Sequence, residues 1–554
     1  MKEIILKCAL INAIEYNGKA DLNAVIRKVI AENPKLKENI KEILPEIKEI
    51  VEKINSMSIE EQKLELEKLG IEIKEVKEIK KSRELPELPN VEGKVVLRLA
   101  PFPDAPLHIG QARMAILNDY YAKMYKGKLL LVMDDTIGSE EKTVNPRAYK
   151  WIVEDLKWLG IKFNKIIYKS DRVKIHYRIA KLLIEKGAAY VCFCDAKTLR
   201  KNRRDGKACT HRNHSIQENL TFWENMLKGK YDEGEATLRL KTDMKHENPA
   251  FRDRVLLRIV KRKHPRVGFK YKVWPMLEFS WAVDDNLLGI THVIRGKDLV
   301  IEDMVENFIW DVLGWKKIPF IHYGLFTIAE VGKISKTRIK RAIDKKEYSG
   351  WDDPRTWTLR SLAKRGIQPD AIRNFVLKMG LSEADITIPV DILYSENRKI
   401  IDSVANRYFA VLRPYKIKIK NLDIKEVKVQ LHPNFPERGS RKIPINKNKI
   451  YVDFEDYKKF KNKEVGLAYL GKILLKKNSE IISKDIPMDM QKIQWVSEPN
   501  TKVKILMPDG KIIAALAEKN LKNLKVDQLI QLVRIGFCRV EKKGREILLY
   551  FAHK

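Results

Sequence analysis

The chain has 554 residues, 44% of them hydrophobic, which is enough apolar side chain for several cores and excludes long disordered stretches. At roughly 150 residues per domain, this length predicts three to four domains. Lys and Arg number 108 against 74 Asp and Glu, so the formal net charge is +34. Such an excess indicates a polyanionic partner rather than a need for solubility.

The positive charge is unevenly distributed. Residues 1–90 carry 17 basic and 18 acidic side chains, residues 91–390 carry 56 and 37, and residues 391–554 carry 35 and 19. The excess therefore lies in the middle and C-terminal parts, which favours nucleic acid as the partner. A thermophile surface rich in Lys and Glu is the alternative explanation.

Cysteine usage and hydropathy predict the compartment. Five cysteines are an odd number and too few for a disulfide framework. No apolar run approaches the roughly 18 residues that span a bilayer, and the N-terminus lacks a cleavable signal pattern. We therefore expect a cytoplasmic protein with no membrane partner.

The first elements in chain order are helices. Residues 36–54 carry apolar side chains at three- and four-residue steps, which predicts one apolar helix face formed by Leu36, Ile40, Leu44, Ile47, Ile50, Val51 and Ile54. Ser58 and Glu61 form a capping-box pattern ahead of a further helix that Gly70 ends. Residues 71–90 are rich in Lys and Glu and end in two prolines, which predicts a domain boundary.

A βαβ unit follows this boundary. Residues 94–100 and 129–133 are short apolar runs of strand type, and residues 109–125 between them are helical in period. This order predicts a parallel sheet that binds its ligand at the carboxyl ends of the strands. Residues 287–294 predict a later strand of the same sheet, ending in Arg295.

Beyond residue 396 the pattern changes to alternating apolar and polar side chains, with a hairpin signal at Asp509 and Gly510. Short strands separated by turns predict antiparallel β-barrels. The clearest alternating segments are residues 416–420, 427–431, 502–506 and 547–551.

Two segments have residue types that suit nucleotide phosphates. In the loop before the first helix of the sheet, Gly110 allows close approach to helix-terminal amides, and His108 can donate to a phosphate oxygen. Residues 332–338 supply lysines that can neutralise a triphosphate. Taken singly, a packed histidine and a solvated lysine run explain these segments as well; their pairing in one sheet favours a nucleotide site.

The two segments resemble the signature motifs of class I aminoacyl-tRNA synthetases: His108-Ile-Gly-Gln111 the HIGH box, and Lys333-Ile-Ser-Lys-Thr337 the KMSKS box. The chain is identified as a member of the glutamyl-tRNA synthetase family, in the archaeal and eukaryotic form of the glutamyl/glutaminyl subgroup, over roughly residues 90–554. Further segments that are similar to this subgroup are residues 98–101, 134–136, 289–298 and 350–360.

The resemblance and the patterns together predict an α/β multidomain protein. Its centre is a Rossmann-type catalytic domain with a parallel sheet and an insertion. The predicted segments are an N-terminal helical domain (1–89), the first half of the catalytic domain (90–189), an acceptor-end insertion (190–285), the second half with the KMSKS-like loop (286–345), a helical connecting domain (346–395) and anticodon-binding β-barrels (396–554).

The resemblance also implies a reaction and its residues. Glutamate and ATP, with Mg²⁺, form glutamyl-adenylate, and the glutamyl group passes to the 3′-terminal ribose of tRNA(Glu); tRNA(Gln) is left open as a second substrate. His108 and Lys336 would be catalytic, and Asp134 would bind the α-amino group. The implied ATP-binding residues are Pro101, Pro106, His108, Ile109, Gly110, Gln111, Lys333, Ser335 and Lys336.

Amino-acid choice is expected to depend on Arg98 and Arg295, which occupy positions that contact substrate carboxylates in this family. The planar guanidinium fork matches a γ-carboxylate and mismatches an amide, which favours glutamate over glutamine. A structural ion pair of Arg295 with Asp298 is the alternative. Leu277 replaces a tyrosine usual in the pocket wall, and Gln111 replaces the second histidine of the HIGH box.

A third cluster has the donor set of a metal site. Three thiols and an imidazole suffice for tetrahedral Zn²⁺, and some glutamyl synthetases carry a similar cluster in this insertion. A structural zinc site and partly buried free cysteines beside an unrelated histidine both stay open. The residues are Cys192, Cys194, Cys209 and His211.

Two other functions compete with glutamylation. A glutaminyl-tRNA synthetase lacks the arginine found here at position 295. A non-catalytic RNA-binding paralogue would have lost His108, Lys336 or Asp134, and all three are present.

Overall fold

A computed structural model describes residues 2–15, 18–33, 40–70, 85–140 and 143–554. The chain divides into two compact units, Met1–Glu87 and Leu88–Lys554. Most of the charged segment predicted as a boundary, residues 71–84, lies outside the described residues. Within the described ranges, no helix combines the length and apolar character needed to cross a bilayer.

The first unit is helical, as predicted. Its core is formed by apolar side chains of the four helices in its described ranges, including Ile5, Val29, Val51 and Leu66. The capping box is confirmed, because Ser58 N donates to Glu61 Oε2 at 2.7 Å and Glu61 N donates to Ser58 Oγ at 3.2 Å. The helices are α1 (Lys2–Glu15), α2 (Leu22–Glu32), α3 (Ile40–Ser56) and α4 (Ile59–Lys68).

The second unit contains the predicted parallel sheet. Strands β1, β2 and β3 pair in parallel, and Met133 at the end of β2 is in register with Tyr168 at the end of β3. A parallel pair, β8 and β9, adjoins β1 through Thr291, whose N–H donates to Val96 O at 2.9 Å. The elements are β1 (Val96–Leu99), α5 (Ile109–Met124), β2 (Lys128–Met133), α6 (Ala148–Trp158), β3 (Lys165–Tyr168), α7 (Val173–Glu185), β8 (Val293–Gly296), α11 (Val300–Leu313) and β9 (Phe320–Tyr323).

The strand predicted at residues 287–294 is wrong over residues 287–292. Leu287 is the last residue of the helix Leu277–Leu287, and Gly289 turns the chain with φ +68° before the strand starts at Val293. The sequence is mostly apolar in this segment because an apolar helix end is followed by a buried strand. Periodicity alone does not separate an apolar helix end from a buried strand.

Between the two halves lies a four-stranded antiparallel sheet in the order β4-β5-β6-β7. Helices α7 and α9 pack on it through a shared core that includes Leu183, Trp223 and Leu238. The elements are β4 (Ala189–Cys192), α8 (Ala196–Asp205), α9 (Ile216–Lys228), β5 (Thr237–Leu240), β6 (Val255–Ile259), β7 (Val273–Pro275) and α10 (Leu277–Leu287).

A mostly helical segment joins the catalytic region to the C-terminal sheets. The buried Arg365 links this segment to the C-terminal sheets, because it donates a hydrogen bond to the backbone oxygen of Ala552 at 2.8 Å. The elements are β10 (Phe326–Ile328), α12 (Lys336–Asp344), α13 (Leu359–Arg365), α14 (Pro369–Lys378), β11 (Ile386–Ile388) and α15 (Val390–Ile401).

The C-terminal part confirms the antiparallel prediction, with two seven-stranded sheets that also contain some parallel pairs. Asp509 and Gly510 form the predicted turn between β23 and β24. The elements are β12 (Asn406–Tyr408), β13 (Ala410–Val411), β14 (Pro414–Lys420), β15 (Glu426–Gln430), β16 (Ser440–Pro444), β17 (Ile450–Asp453), α16 (Phe454–Phe460), β18 (Glu464–Leu467), β19 (Gly471–Leu474), β20 (Asn478–Ser483), β21 (Lys492–Ile493), β22 (Trp495–Ser497), β23 (Asn500–Leu506), β24 (Ile512–Glu518), β25 (Leu529–Leu532), β26 (Gly536–Lys542) and β27 (Ile547–His553).

Candidate active site and metal centre

The loop after β1 leads into α5 with His108 as the N-cap residue. Gly110 N donates to His108 Nδ1 at 3.1 Å, and His108 N donates to Gln111 Oε1 at 3.3 Å. Because Nδ1 accepts a hydrogen bond, the ring proton of the neutral histidine is on Nε2, for which the described residues supply no acceptor. Pro101, Pro106 and Ile109 are buried and form the walls of this loop.

The KMSKS-like segment meets this loop. Lys336 Nζ contacts Asp104 Oδ1 at 2.7 Å across 232 residues of sequence. Ser335 caps helix α12 by accepting from Arg338 N, and Lys333 is exposed. The two segments that the sequence analysis paired are therefore adjacent, and the Lys336 ammonium lies near His108.

His108 is uncharged at neutral pH. Burial of the ring and the neighbouring Lys336 ammonium lower the pKa of His108 to about 3. The ring therefore acts as a neutral hydrogen-bond donor and not as a cation. The loop that carries His108 is also held by a hydrogen bond from the start of helix α13, in which Leu359 N donates to Leu107 O at 2.8 Å.

A second group of predicted residues meets around Trp281, a residue of α10 that sequence reasoning missed. The Arg98 and Arg295 guanidinium carbons lie 5.0 and 5.2 Å from the centre of its ring. Trp281 is 5% exposed, and its Nε1 has no hydrogen-bond partner among the described residues. We call the surroundings of this ring the Trp281 pocket.

Both pocket arginines are paired with carboxylates of the chain. Arg98 donates through Nε and Nη2 to the two oxygens of Asp285, each at 2.7 Å. Arg295 donates from Nε to Asp303 Oδ1 at 2.9 Å and from Nη1 to Glu306 Oε1 at 2.6 Å. Burial raises the pKa of Glu306 above its ordinary range.

These contacts change two expectations for Arg295. The alternative partner Asp298 has no ion pair with Arg295 among the described residues; Asp303 and Glu306 take that place. The Nε side of the guanidinium fork is already occupied by Asp303. A substrate carboxylate would therefore meet the remaining N–H bonds or displace a protein carboxylate.

Lys169 is the third cation of the Trp281 pocket and was also missed. Its Nζ lies 3.2 Å from Asp134 Oδ1, 2.7 Å from Ser280 Oγ and 5.3 Å from the centre of the Trp281 ring. Lys169 directly follows β3, as Asp134 follows β2. The rule that ligands bind at the carboxyl ends of parallel strands would have pointed to it.

The Cys/His cluster is brought together at the end of β4. The four donor atoms of Cys192, Cys194, Cys209 and His211 lie within 4.8 Å of one another. The Sγ atoms of Cys192 and Cys209 are 3.8 Å apart, which matches the spacing of about 3.8 Å for two sulfurs tetrahedrally bound at 2.3 Å from Zn²⁺. His211 Nδ1 is 3.5 Å from Cys194 Sγ, so the donor set fits a metal ion.

Neighbouring side chains stabilise negative sulfur. Arg239 Nη1 lies 3.5 Å from Cys192 Sγ and 3.8 Å from Cys209 Sγ, and Tyr190 Oη lies 3.7 Å from Cys209 Sγ. The hydrogen bond from Cys192 lowers the pKa of the Cys209 thiol and raises that of Cys192, and burial raises the pKa of Cys194, so Cys209 is the thiol that these contacts favour as thiolate. Thiolate is the form that binds metal.

Comparison with known proteins identifies the family. The family described as tRNA synthetases class I (E and Q), catalytic domain, matches residues 94–403, and the anti-codon binding domain of the same group matches residues 405–491 and 492–541. Glutamate–tRNA ligases of Methanocaldococcus jannaschii, Archaeoglobus fulgidus and Thermococcus onnurineus are each 41% identical to this chain, with 100% of both chains covered. The chain therefore belongs to the class I tRNA synthetases of the E and Q group.

Proposed function

We propose that this protein is a glutamate–tRNA ligase that forms glutamyl-adenylate from glutamate and ATP and then transfers the glutamyl group to tRNA(Glu). The observation that carries this conclusion is the full-length similarity to archaeal glutamate–tRNA ligases at 41% identity. The adjacency of the loop around His108 and the segment around Lys336 supports it, because adenylate formation needs donors and cations around one triphosphate.

The roles on the ATP side follow from the chemistry of the loop. The amides at Gly110, the Nε2–H of neutral His108 and the Lys336 ammonium are proposed to stabilise the negative charge that develops on the α-phosphate. Asp104 holds Lys336 near this place. The Mg²⁺ that accompanies ATP in this reaction would neutralise further phosphate charge.

The Trp281 pocket is proposed to bind glutamate. Asp134 would receive the α-ammonium, and Arg98 and Arg295 would face the carboxylates. The unpartnered Trp281 Nε1–H supports a carboxylate ligand, because a buried donor without an acceptor is costly. Glutaminyl-tRNA synthetase activity is disfavoured by the presence of Arg295, whose charge an amide cannot match.

The Cys/His cluster is proposed to bind a structural Zn²⁺ through Cys192, Cys194, Cys209 and His211. Four protein ligands leave no open coordination position, so the ion would stabilise the insertion without taking part in the reaction. The bounds of the six predicted segments and the cytoplasmic location stay predictions. The surplus of 91 basic over 56 acidic side chains in residues 91–554 is proposed to bind the tRNA backbone.

The test is a charging assay with purified tRNA(Glu) and tRNA(Gln) transcripts and labelled glutamate and glutamine. We expect glutamate on tRNA(Glu) and no detectable glutamine on either transcript. The tRNA(Gln) arm decides whether this transcript is a second substrate. Absence of glutamylation of both transcripts would refute the proposed function and favour a non-catalytic RNA-binding role.

A further inference from the structure

Lys169 is a completely buried cation of the Trp281 pocket, with 0% of its side chain exposed. It follows β3 directly, and Asp134 follows β2 directly. The preceding residues, Met133 and Tyr168, are in register in the parallel pair. The sheet therefore places an ammonium and a carboxylate side by side at its ligand-binding edge.

The protein satisfies this ammonium without a ligand. An ammonium has three N–H donors, and Lys169 has three partners: Asp134 Oδ1 at 3.2 Å, Ser280 Oγ at 2.7 Å and the face of the Trp281 ring. A buried charge is tolerated only when it is paired in this way. Asp134 is 1% exposed, so solvent does not weaken the pair.

Asp134 is the one carboxylate within 4 Å of Lys169 Nζ among the described residues. The neighbouring Asp284 pairs with Arg172 at 2.7 Å and His176 at 3.2 Å instead. The other pocket carboxylates are engaged by Arg98 and Arg295. Asp284 Oδ2 has no hydrogen-bond partner among the described residues, and Asp284 interacts with Lys169 electrostatically, but Asp134 is the carboxylate in direct contact with the Lys169 ammonium.

We propose that Lys169 is a specificity-determining residue that competes with the α-ammonium of the amino acid for Asp134. A carboxylate that already holds an internal ammonium gains less from a second one, because the two cations repel each other. The α-ammonium then contributes little to the affinity for the amino acid. The protein therefore selects its substrate mainly through the two substrate carboxylates. This inference rests on the proposed function, in which Asp134 receives the α-ammonium.

The experiment compares glutamate with glutarate, which has both carboxylates and lacks the amino group. Dissociation constants are measured by calorimetry on the full chain, and the ratio of the glutarate constant to the glutamate constant reports what the ammonium contributes. In the parent we expect a ratio below about 10. In Lys169→Met, where Asp134 has lost its internal partner, we expect the ratio to rise about tenfold or more.

Arg172→Met is the matched control, because it removes a cation three residues away that pairs with Asp284. It should leave the ratio unchanged. Lys169→Gln is the second variant if Lys169→Met does not fold; its amide keeps a donor to Asp134 without the charge, and a smaller rise is expected.

An unchanged or lower ratio in a folded Lys169 variant would overturn the proposal. If no Lys169 variant folds, the glutarate/glutamate ratio of the parent protein tests the proposal. A parent ratio above about 100 would overturn it, because the α-ammonium would then already contribute fully to the affinity for glutamate. Failure of the proposed function can be told apart from failure of this inference. The first appears as absent glutamylation of tRNA by the parent protein, whereas the second is read from a binding ratio that requires no turnover.

Discussion

The Trp281 pocket and the Cys/His cluster both hold buried arginine but balance its charge differently. In the pocket, Arg98 and Arg295 are paired with aspartate and glutamate side chains of the chain itself. In the cluster, Arg239 faces two sulfurs, and its Nη2 has no hydrogen-bond partner among the described residues. Thiols carry the matching negative charge only when they are deprotonated.

On the proposed function, carboxylates of the chain hold the pocket arginines before a ligand binds, whereas the cluster would need a metal ion to balance its thiolates. Protein carboxylates keep the pocket arginines oriented, so substrate binding costs little reorganisation. Three thiolates and a bound divalent cation would leave one net negative charge, which a single guanidinium would offset. Substitutions in the pocket should therefore change kinetics, and substitutions in the cluster should change metal content and stability.

The largest kinetic effect is expected for Lys336→Ala. The rate of adenylate formation should fall by roughly a hundredfold or more, because this ammonium acts on charge that develops in the transition state. Pyrophosphate exchange in the presence of tRNA measures it. Lys340→Ala, one turn further along the same helix and exposed, is the control and should behave like the parent. Parent-like activity of Lys336→Ala would show that Lys336 has no role in adenylate formation.

Arg295→Ser should lower kcat/KM for glutamate on the order of a hundredfold and reduce the preference over glutamine. The buried carboxylates Asp303 and Glu306 lose their partner, so stability should fall as well, by about 3 kcal/mol or more. Aminoacylation with both labelled amino acids separates the two effects. Asp298→Asn is the control; an unchanged Glu/Gln ratio in Arg295→Ser would assign the discrimination to Arg98.

Cys209→Ser tests the metal side of the comparison. We expect loss of stoichiometric zinc and a fall in Tm of roughly 5 °C or more, with pyrophosphate exchange changed less than in Lys336→Ala. Cys538→Ser changes a buried cysteine outside the cluster and should keep its zinc. Arg239→Met should weaken metal affinity without removing a ligand. Protein purified without chelator that contains no zinc would contradict the assignment.

The smallest expected effect concerns His108. Its pKa of about 3 lies below the value of 6.5 for an unperturbed histidine, so the ring should not titrate between pH 5.5 and 8. The neutral ring contributes to stability above pH 6.5, and this contribution is lost as the pH falls toward 3. His108→Asn should therefore show a shallower loss of stability in acid than the parent. An inflexion in adenylate formation near pH 6.5 that disappears in His108→Asn would contradict this prediction.

Local sequence determined much of the architecture. The helical first unit, the βαβ unit, the antiparallel C-terminal sheets and the capping box at Ser58 all follow from periodicity, turn residues and caps, which act over a few residues. The strand at residues 287–294 was misplaced because burial makes a helix end and a strand equally apolar. The Cys/His cluster could be found because two of its cysteines and its Cys-x-His pair lie close in sequence.

Only the tertiary structure decided the electrostatics of the sites. Lys336 meets Asp104 across 232 residues and Arg98 meets Asp285 across 187, and no local pattern predicts such partners. Lys169 and Trp281 entered the site because parallel strands and one helix bring distant segments to a shared edge. The sequence by itself determined which chemical groups the protein carries. Folding decided which of these groups face each other, because the energy of a buried charge depends on partners within a few ångströms.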